Sequence, residues 1–312
     1  MCYNMITVPR ITLKNGVTIP AVGLGHGSIG FVYKPIVQNN IFGSRIGKKV
    51  TNKIKYEIAK YKHINSVAHA LDIGYRLIDY SFAYGNGKEI MKSIKKAGLK
   101  REDIFLTLRA SNIQQYEGTV REEFLRGMEG MGLEYVDMFM FHWPVTDYFV
   151  NTYKEMEKLY KEGYVKVLGV ANCHQHHLQA IIDTCEIIPA IDQFEVHPLF
   201  TQKSLIEFCQ SRGITVQAYT PLARNDDRLS KNLILQGLAK KYNKTIQQII
   251  LRWDVQLGVI PIPHSLNTKR QFQNIDIFDF ELTNEEIKAI DSININSRLR
   301  FDPDNLDFHS VG

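Results

Sequence analysis

The chain has 312 residues, of which 44% are hydrophobic and 23% charged, and its formal net charge at pH 7 is +5. These values are typical of a soluble globular protein, and we expect no nucleic-acid partner. No apolar run is long enough to cross a membrane, residues 1–10 lack the hydrophobic core of a signal peptide, and the spacing of the cysteines does not indicate a disulfide framework (Cys2, Cys173, Cys185 and Cys209). We therefore expect a cytoplasmic protein with free thiols.

The first predicted elements are a hairpin and one strand. Asn15-Gly16 separates two strand-like runs within residues 11–20, which indicates a hairpin, and a strand is predicted at 22–25. Residues 31–64 then contain eight Lys or Arg and one Glu without a clear strand pattern, and a helix is predicted at 65–72. We expect a single domain that spans residues 1–312, with this basic stretch inside it.

From residue 76 onward, predicted strands alternate with predicted helices. The strands are predicted at 76–81, 104–110, 135–142, 165–172, 190–197, 215–222 and 259–265, and the helices at 88–97, 119–131, 151–161, 177–185, 203–212, 232–242, 246–257, near 270, and 284–293. Eight strand–helix units predict a parallel (β/α)8 TIM barrel with an N-terminal β-hairpin and an extra C-terminal helix. No G-x-G-x-x-G motif opens a helix, which argues against a Rossmann fold.

Polar residues lie at the ends of three predicted strands: Asp79 at the end of the second, with Tyr84 shortly after it, Arg109 at the end of the third and His142 at the end of the fourth. In a barrel these positions share one mouth, where chemistry is done. Such a set suits carbonyl reduction, because a phenol beside a cation can donate a proton and an imidazole can orient the carbonyl oxygen. Taken singly, each residue also has a structural explanation, as a turn residue, packing, a structural cation or an imidazole satisfied by the backbone.

No metal site is predicted, because no His, Cys and carboxylate spacing matches a ligand set. The one histidine-rich segment is His174-Gln175-His176-His177, which opens a predicted helix. We interpret it as a solvated or capping segment rather than a metal site.

Several separated motifs, in this order, resemble the aldo-keto reductase family from the hairpin to about Asp291. They are Gly74 to Asp79 with Tyr84-Gly85-Asn86, Gly132 to Asp137 through His142-Trp143-Pro144, Gly169 to Asn172, Gln193 to Pro198, Ala218 to Leu222, and Ile262 to Ser265 with Arg270 and Asn274. The resemblance implies an NADPH-dependent oxidoreductase that reduces an aldehyde or ketone to an alcohol by hydride transfer.

The resemblance also implies a catalytic tetrad, which maps to Asp79, Tyr84, Arg109 and His142, with Tyr84 as proton donor. Arg109 stands where the family has Lys. A guanidinium is wider and planar, and we expect it to pair bidentately with Asp79 and to serve the phenol less well. The alternative function is therefore a nicotinamide-binding sensor or regulatory barrel with little or no turnover.

Two groups of cofactor-binding residues are implied by the same resemblance. Asn172, Gln193, Tyr219, Thr220 and Leu222 belong to the nicotinamide side, and His264, Ser265, Arg270 and Asn274 to the adenosine-phosphate side. Ala171 replaces a family Ser, which loses one hydrogen bond worth roughly 1 kcal/mol, and His264 replaces a family Lys. NADP(H) is the expected cofactor, with acceptance of NAD(H) as the alternative.

The expected partner is a small-molecule carbonyl substrate. The loop after the first barrel strand is short in the family and is lengthened here, so the resemblance implies a basic insertion at about 31–64. Its basic residues favour an anionic substrate or an acidic carrier protein, while the alternative is a solvated surface insert. By resemblance to the family, we expect a monomer or a weak dimer.

Overall fold

The computed structural model describes residues 4–27 and 45–308, with side chains at 4–27 and 54–308. Within these ranges the strands are β1 Arg10–Thr12, β2 Thr18–Pro20, β3 Leu24–Gly25, β4 Leu77–Asp79, β5 Phe105–Ala110, β6 Val136–Phe141, β7 Val165–Ala171, β8 Ile191–Glu195, β9 Thr215–Tyr219 and β10 Val259–Ile262. The α-helices are α1 Arg45–Asp72, α2 Gly87–Lys96, α3 Asn112–Glu117, α4 Val120–Met131, α5 Phe149–Lys161, α6 Gln175–Thr184, α7 Lys203–Ser211, α8 Asp227–Ser230, α9 Leu233–Tyr242, α10 Ile246–Gln256, α11 Thr268–Ile275 and α12 Asn284–Asp291.

The strands β3 to β10 form one parallel sheet in chain order, with helices between successive strands. Two backbone hydrogen bonds join its first and last strands: the Gly23 amide donates to the Pro261 carbonyl at 3.0 Å, and the Gly25 amide donates to the Pro263 carbonyl at 3.1 Å. The antiparallel pair β1–β2 precedes the barrel and α12 follows it. The predicted (β/α)8 barrel, its hairpin and its C-terminal helix are therefore confirmed.

The hairpin packs on the amino-terminal end of the barrel interior. Leu13 and Ile19 form one buried cluster with inward-facing strand residues, namely Leu77, Phe105, Met138, Met140, Val167, Ala171, Ile191 and Ile260. Because successive strand residues face opposite sides, the residues two or four positions after these also face the interior, toward the carboxyl ends of the strands. The hairpin thus covers the amino-terminal end of the barrel interior, which is apolar. The interior at the carboxyl ends of the strands is available for polar side chains.

A second and larger buried cluster lies between the outer faces of the strands and the helices. Phe139 of β6 contacts Phe124 of α4, with ring centroids 4.6 Å apart, and both side chains are fully buried. Among the described residues, no helix is both long and apolar enough to span a membrane. Cys173, Cys185 and Cys209 are free thiols, as predicted, while Cys2 lies outside the described residues.

Several boundaries differ from the sequence predictions, and the largest difference is at the start of α1. The helix expected to begin near residue 65 begins at Arg45. Ile54, Ile58 and Tyr61 follow the helical spacing i, i+4, i+7, which the prediction did not use, and all three side chains are exposed. Residues 31–44 of the basic stretch lie outside the described residues. The short helix α3 was not predicted; Ser111 caps it by accepting from the Gln114 amide, and Gly118 ends it at φ +66°.

Candidate functional site

Three polar side chains reach the carboxyl end of the barrel from neighbouring strands. Asp79 ends β4, Arg109 lies near the end of β5, and His142 directly follows β6. The His142 amide still donates to the Ala110 carbonyl at 3.0 Å, so the strand pairing continues to that residue. Each lies an even number of positions after a residue of the interior cluster (Leu77, Phe105 and Met138), which directs all three side chains inward.

Tyr84 is held over the same end by a single turn of 3-10 helix at Phe82–Tyr84. The Ser81 hydroxyl caps its start by accepting from the Ala83 amide at 3.3 Å. Gly85 ends it at φ +67°, where the absence of a β-carbon removes the strain of the left-handed region, and its amide donates to the Phe82 carbonyl. The local sequence therefore fixes where the phenol leaves the backbone.

Arg109 is the centre of a buried polar network. Its Nη2 donates to both carboxylate oxygens of Asp79 and, at 2.6 Å, to Oε1 of Gln193. Gln193 Nε2 in turn donates to Gln217 Oε1 at 3.0 Å. Among the described residues Arg109 Nε has no hydrogen-bond partner, although the whole residue is only 4% exposed. Arg109 pairs with Asp79 as expected, but one guanidinium nitrogen contacts both carboxylate oxygens. In a bidentate pair, two guanidinium nitrogens would each contact one oxygen.

Charge and burial set the protonation of three of these groups. Burial raises the pKa of the Tyr84 phenol, against the opposing influence of Arg109. Burial also lowers the pKa of His142 to about 3, with contributions from the positive charges of Arg109 and Arg300. Burial alone would lower the pKa of Arg109, but the charge and hydrogen bonding of Asp79, together with Tyr84 and Tyr219, outweigh it and the pKa is raised. At neutral pH the phenol is protonated, the imidazole is neutral and the guanidinium is charged.

A second network lies beside the first. Tyr219 donates its hydroxyl hydrogen to Asn172 Oδ1 at 2.6 Å, and Asn172 Nδ2 donates to the His142 carbonyl at 2.9 Å. Asn172 adopts φ +60° directly after β7, and Thr220 adopts φ +51° directly after β9. These turns present side chains toward the barrel mouth, at conformations that Asn adopts more readily than most residues.

Both networks line one pocket of about 190 Å³. Nine of the residues singled out from the sequence line it: Asp79, Tyr84, Arg109, His142, Asn172, Gln193, Tyr219, Thr220 and His264. Four do not: Leu222, Ser265, Arg270 and Asn274. Of these four, Arg270 is exposed on α11, and Asn274 is 4% exposed on the same helix. The structure thus brings together the implied catalytic residues and four of the five nicotinamide-side residues, all but Leu222, whereas His264 is the one adenosine-side residue that lines the pocket.

Sequence reasoning missed several residues of the pocket, notably His26, Trp143, Arg224 and Arg300. Trp143 follows His142 directly and was part of a quoted motif. Arg300 comes from the chain after α12, where the Glu195 carboxylate accepts from its amide at 2.9 Å. No local pattern marks such a long-range contact.

Comparisons with known proteins agree with this geometry. The profile of the Aldo/keto reductase family matches residues 46–295. The 9,11-endoperoxide prostaglandin H2 reductase of Trypanosoma cruzi is 36% identical over 298 residues, covering 95% of each chain. The glyoxal reductase of Bacillus subtilis is 37% identical over 298 residues, covering 96% of this chain and 97% of the relative. An aldo-keto reductase of Bombyx mori, solved in complex with NADP, is 30% identical with a TM-score of 0.80, covering 96% of this chain and 97% of that chain. This protein therefore belongs to the aldo/keto reductase family of oxidoreductases.

Proposed function

We propose that this protein is an NADPH-dependent reductase that converts an aldehyde or ketone to an alcohol, with Tyr84 as the proton donor. The observation that carries the proposal is that Tyr84 and His142 line the same pocket. The ion pair of Asp79 and Arg109 lines that pocket as well. The relative named glyoxal reductase and the neighbour solved with NADP support the same reaction class.

The residues present fit a nicotinamide group. The ring of Tyr219 supplies an aromatic wall, and the amides of Asn172 and Gln193 match a carboxamide in hydrogen-bonding capacity. Beyond His264, Arg270 is an exposed cation that would hold the 2′-phosphate, together with Ser265 and Asn274. When bound, the dinucleotide would supply the hydride. His264 in place of a lysine leaves NADH as a second candidate cofactor.

The protonation states suit reduction at neutral pH. Tyr84 carries the proton that the new alkoxide needs, because burial keeps the phenol from ionising. Neutral His142 can donate one hydrogen bond to the carbonyl oxygen and so orient it. Arg109 stabilises the phenolate that proton transfer leaves behind, and Asp79 holds Arg109 in place.

The charges in the pocket favour an anionic substrate. Arg224 and Arg300 line it in addition to Arg109, whereas Asp79 is its only carboxylate among the described residues, and Arg109 neutralises that group. Arg300 also lowers the pKa of His142, which places its charge near the reacting end. We therefore propose a carbonyl compound that carries a carboxylate or phosphate as the substrate class.

The test is NADPH oxidation, followed at its absorbance maximum, with glyoxal, methylglyoxal and a carboxylate-bearing aldehyde. Tyr84→Phe should abolish turnover and leave NADPH affinity nearly unchanged. Tyr80→Phe is the matched control, since this phenol lies 5.9 Å away between ring centroids but does not line the pocket. Turnover that survives Tyr84→Phe would remove Tyr84 as the donor.

The alternative function, a cofactor-binding sensor with little turnover, is favoured by one observation: Arg109 Nη2 is already shared among three acceptor atoms, two on Asp79 and one on Gln193. Tight NADPH binding without oxidation across the carbonyl panel would support the sensor. Oxidation by wild-type protein that Tyr84→Phe removes would support the reductase.

A further inference from the structure

Three histidines at the start of α6 surround one carboxylate of the C-terminal segment. Asp304 Oδ2 lies 2.8 Å from His174 Nδ1, and Asp304 Oδ1 lies 3.2 Å from His176 Nε2 and 3.7 Å from His177 Nε2. None of these residues lines the pocket described above. The cluster is therefore a separate group of metal-ligating side chains.

The backbone at the helix start explains why residues only two apart converge. His174 is the N-cap of α6 and is extended, with φ −87° and ψ 173°, whereas His176 lies in the first turn. Two residues both inside a helix would point about 200° apart at 3.6 residues per turn. The extended cap removes that restriction, so both imidazoles face Asp304.

We propose that His174 Nδ1, His176 Nε2 and the Asp304 carboxylate form a site for a divalent transition-metal ion of the zinc class. Their ligand atoms all lie within 4.8 Å of one another. In a tetrahedral zinc site with bonds of about 2.0–2.1 Å, ligand atoms stand about 3.3 Å apart, so small side-chain movements suffice. Two imidazoles and one carboxylate leave a fourth position for water, and the Asp304 side chain is 41% exposed, so it is accessible to an ion from solvent.

His177 supports the site without ligating the ion. Its Nδ1 accepts from the His174 amide at 3.1 Å, so this residue of the histidine-rich segment caps the start of α6. The neutral ring therefore carries its proton on Nε2, the nitrogen that faces Asp304. It can donate to the carboxylate and orient it, but it can bind a metal there only by giving up the cap.

Arg298 competes with the metal for His174. Its Nη2 lies 3.2 Å from His174 Nε2, and because a guanidinium only donates, the ring proton is on Nδ1 and points to Asp304. Metal binding at Nδ1 moves this proton to Nε2, which requires Arg298 to turn away. Asp302 Oδ1 lies 4.0 Å from the same nitrogen and can then accept from it, as carboxylates do for metal-bound histidines.

A metal ion at this site would restrain the C-terminal segment from which Arg300 reaches the pocket. Before Asp304 along the chain, the Leu299 and Arg300 amides donate to Glu195 at 2.7 and 2.9 Å. After it, Phe308 packs in one buried cluster with Trp143. An ion at Asp304 would therefore restrain the middle of residues 299–308, whose two ends are already held by these contacts. It would reduce local unfolding of this segment.

The test is isothermal titration of the full-length chain, without a histidine tag, with Zn²⁺ as the probe. We expect one ion per chain and loss of binding by at least about tenfold in His176→Ala and in Asp304→Asn. Arg298→Met should bind more tightly than wild type, because the competing donor is gone. Asp227→Asn, at an exposed carboxylate paired with Lys231, is the charge-matched control and should bind as wild type does.

Hydrogen exchange supplies a second readout that distinguishes this site from zinc bound elsewhere. Zn²⁺ should slow exchange of the amides at 299–308 in wild type and leave it unchanged in Asp304→Asn. The proposal is overturned if wild type shows no saturable binding, if His176→Ala and Asp304→Asn retain full affinity, or if bound Zn²⁺ leaves exchange of the segment unaltered.

Discussion

Replacing Arg109 with Lys tests how the active-site cation serves the phenol. Arg109 Nη2 has two hydrogens, yet three acceptor atoms surround it, two on Asp79 and one on Gln193. No hydrogen of that nitrogen is left for Tyr84, so the guanidinium can reach the phenol only through Nη1 or Nε, and Nε has no hydrogen-bond partner among the described residues. An ammonium group carries three donors on one atom, so it can keep the contact with Asp79 and still donate to the phenol oxygen.

The size of the effect follows from that one added contact. A hydrogen bond to a charged group is worth about 1.5–3 kcal/mol in a protein. If the contact forms with the phenolate and not with the neutral phenol, it lowers the barrier by that amount. Since each 1.36 kcal/mol is tenfold in rate, we expect Arg109→Lys to speed the chemical step about tenfold to a hundredfold.

The assay is single-turnover NADPH oxidation by stopped flow, with cofactor deuterated at the transferred position to show that hydride transfer is observed. The double variant Arg109→Lys with Tyr84→Phe is the control, because without the hydroxyl the lysine has no phenol to serve. An unchanged or slower chemical step in Arg109→Lys would refute the view that the guanidinium limits proton transfer.

Three further outcomes follow from the structure. The unfolded His142 ring, with an ordinary pKa of 6.5, binds a proton that the folded ring, with a pKa of about 3, does not. The free energy of unfolding therefore falls as the pH falls from about 6.5 toward 3, by up to about 1.4 kcal/mol per pH unit. Urea unfolding at pH 7 and pH 5 should show a smaller loss of stability in His142→Asn than in wild type. Arg300→Met should raise KM for succinic semialdehyde by roughly fivefold and leave KM for butanal unchanged, whereas Arg126→Met, at a 68% exposed side chain, should alter neither. Gly74→Ala should cost roughly 1–3 kcal/mol more in urea unfolding than Gly98→Ala, because both have positive φ but only the first brings a β-carbon within 2.0 Å of a backbone carbonyl oxygen; equal losses would contradict the clash.

The barrel could be predicted from the sequence because the buried strands have a local pattern of apolar residues. The run at 135–142 is apolar on both faces, as a strand covered by helices requires, and the structure has β6 at Val136–Phe141. Gly98 and Gly213 mark helix ends by their positive φ, which is a local property. Residues 54–62 of α1 were missed although Ile54, Ile58 and Tyr61 follow a helical spacing, because these three side chains stand among basic residues and are not buried.

Site residues at the ends of strands could be predicted from the sequence. Site residues that depend on contacts between distant segments of the chain could not. Asp79, Arg109 and His142 follow strands, so the topology alone places them at one mouth. Arg300 depends on Glu195, more than one hundred positions earlier, accepting from two successive backbone amides. The convergence of His174 with its neighbours depends on one extended residue at a helix start. Neither arrangement leaves a spacing pattern that sequence reasoning can use.

The buried network also decides how a gain in rate should be interpreted. Gln193 Oε1 accepts from Arg109, while Gln193 Nε2 donates to Gln217, so the amide proposed to hold the cofactor is positioned by the cation proposed to assist the phenol. A lysine at 109 releases Oε1 and changes the amide as well as the proton donor. The NADPH dissociation constant must therefore be measured beside the rate. A faster chemical step at unchanged cofactor affinity assigns the gain to Tyr84, whereas a gain that appears only at subsaturating NADPH assigns it to Gln193.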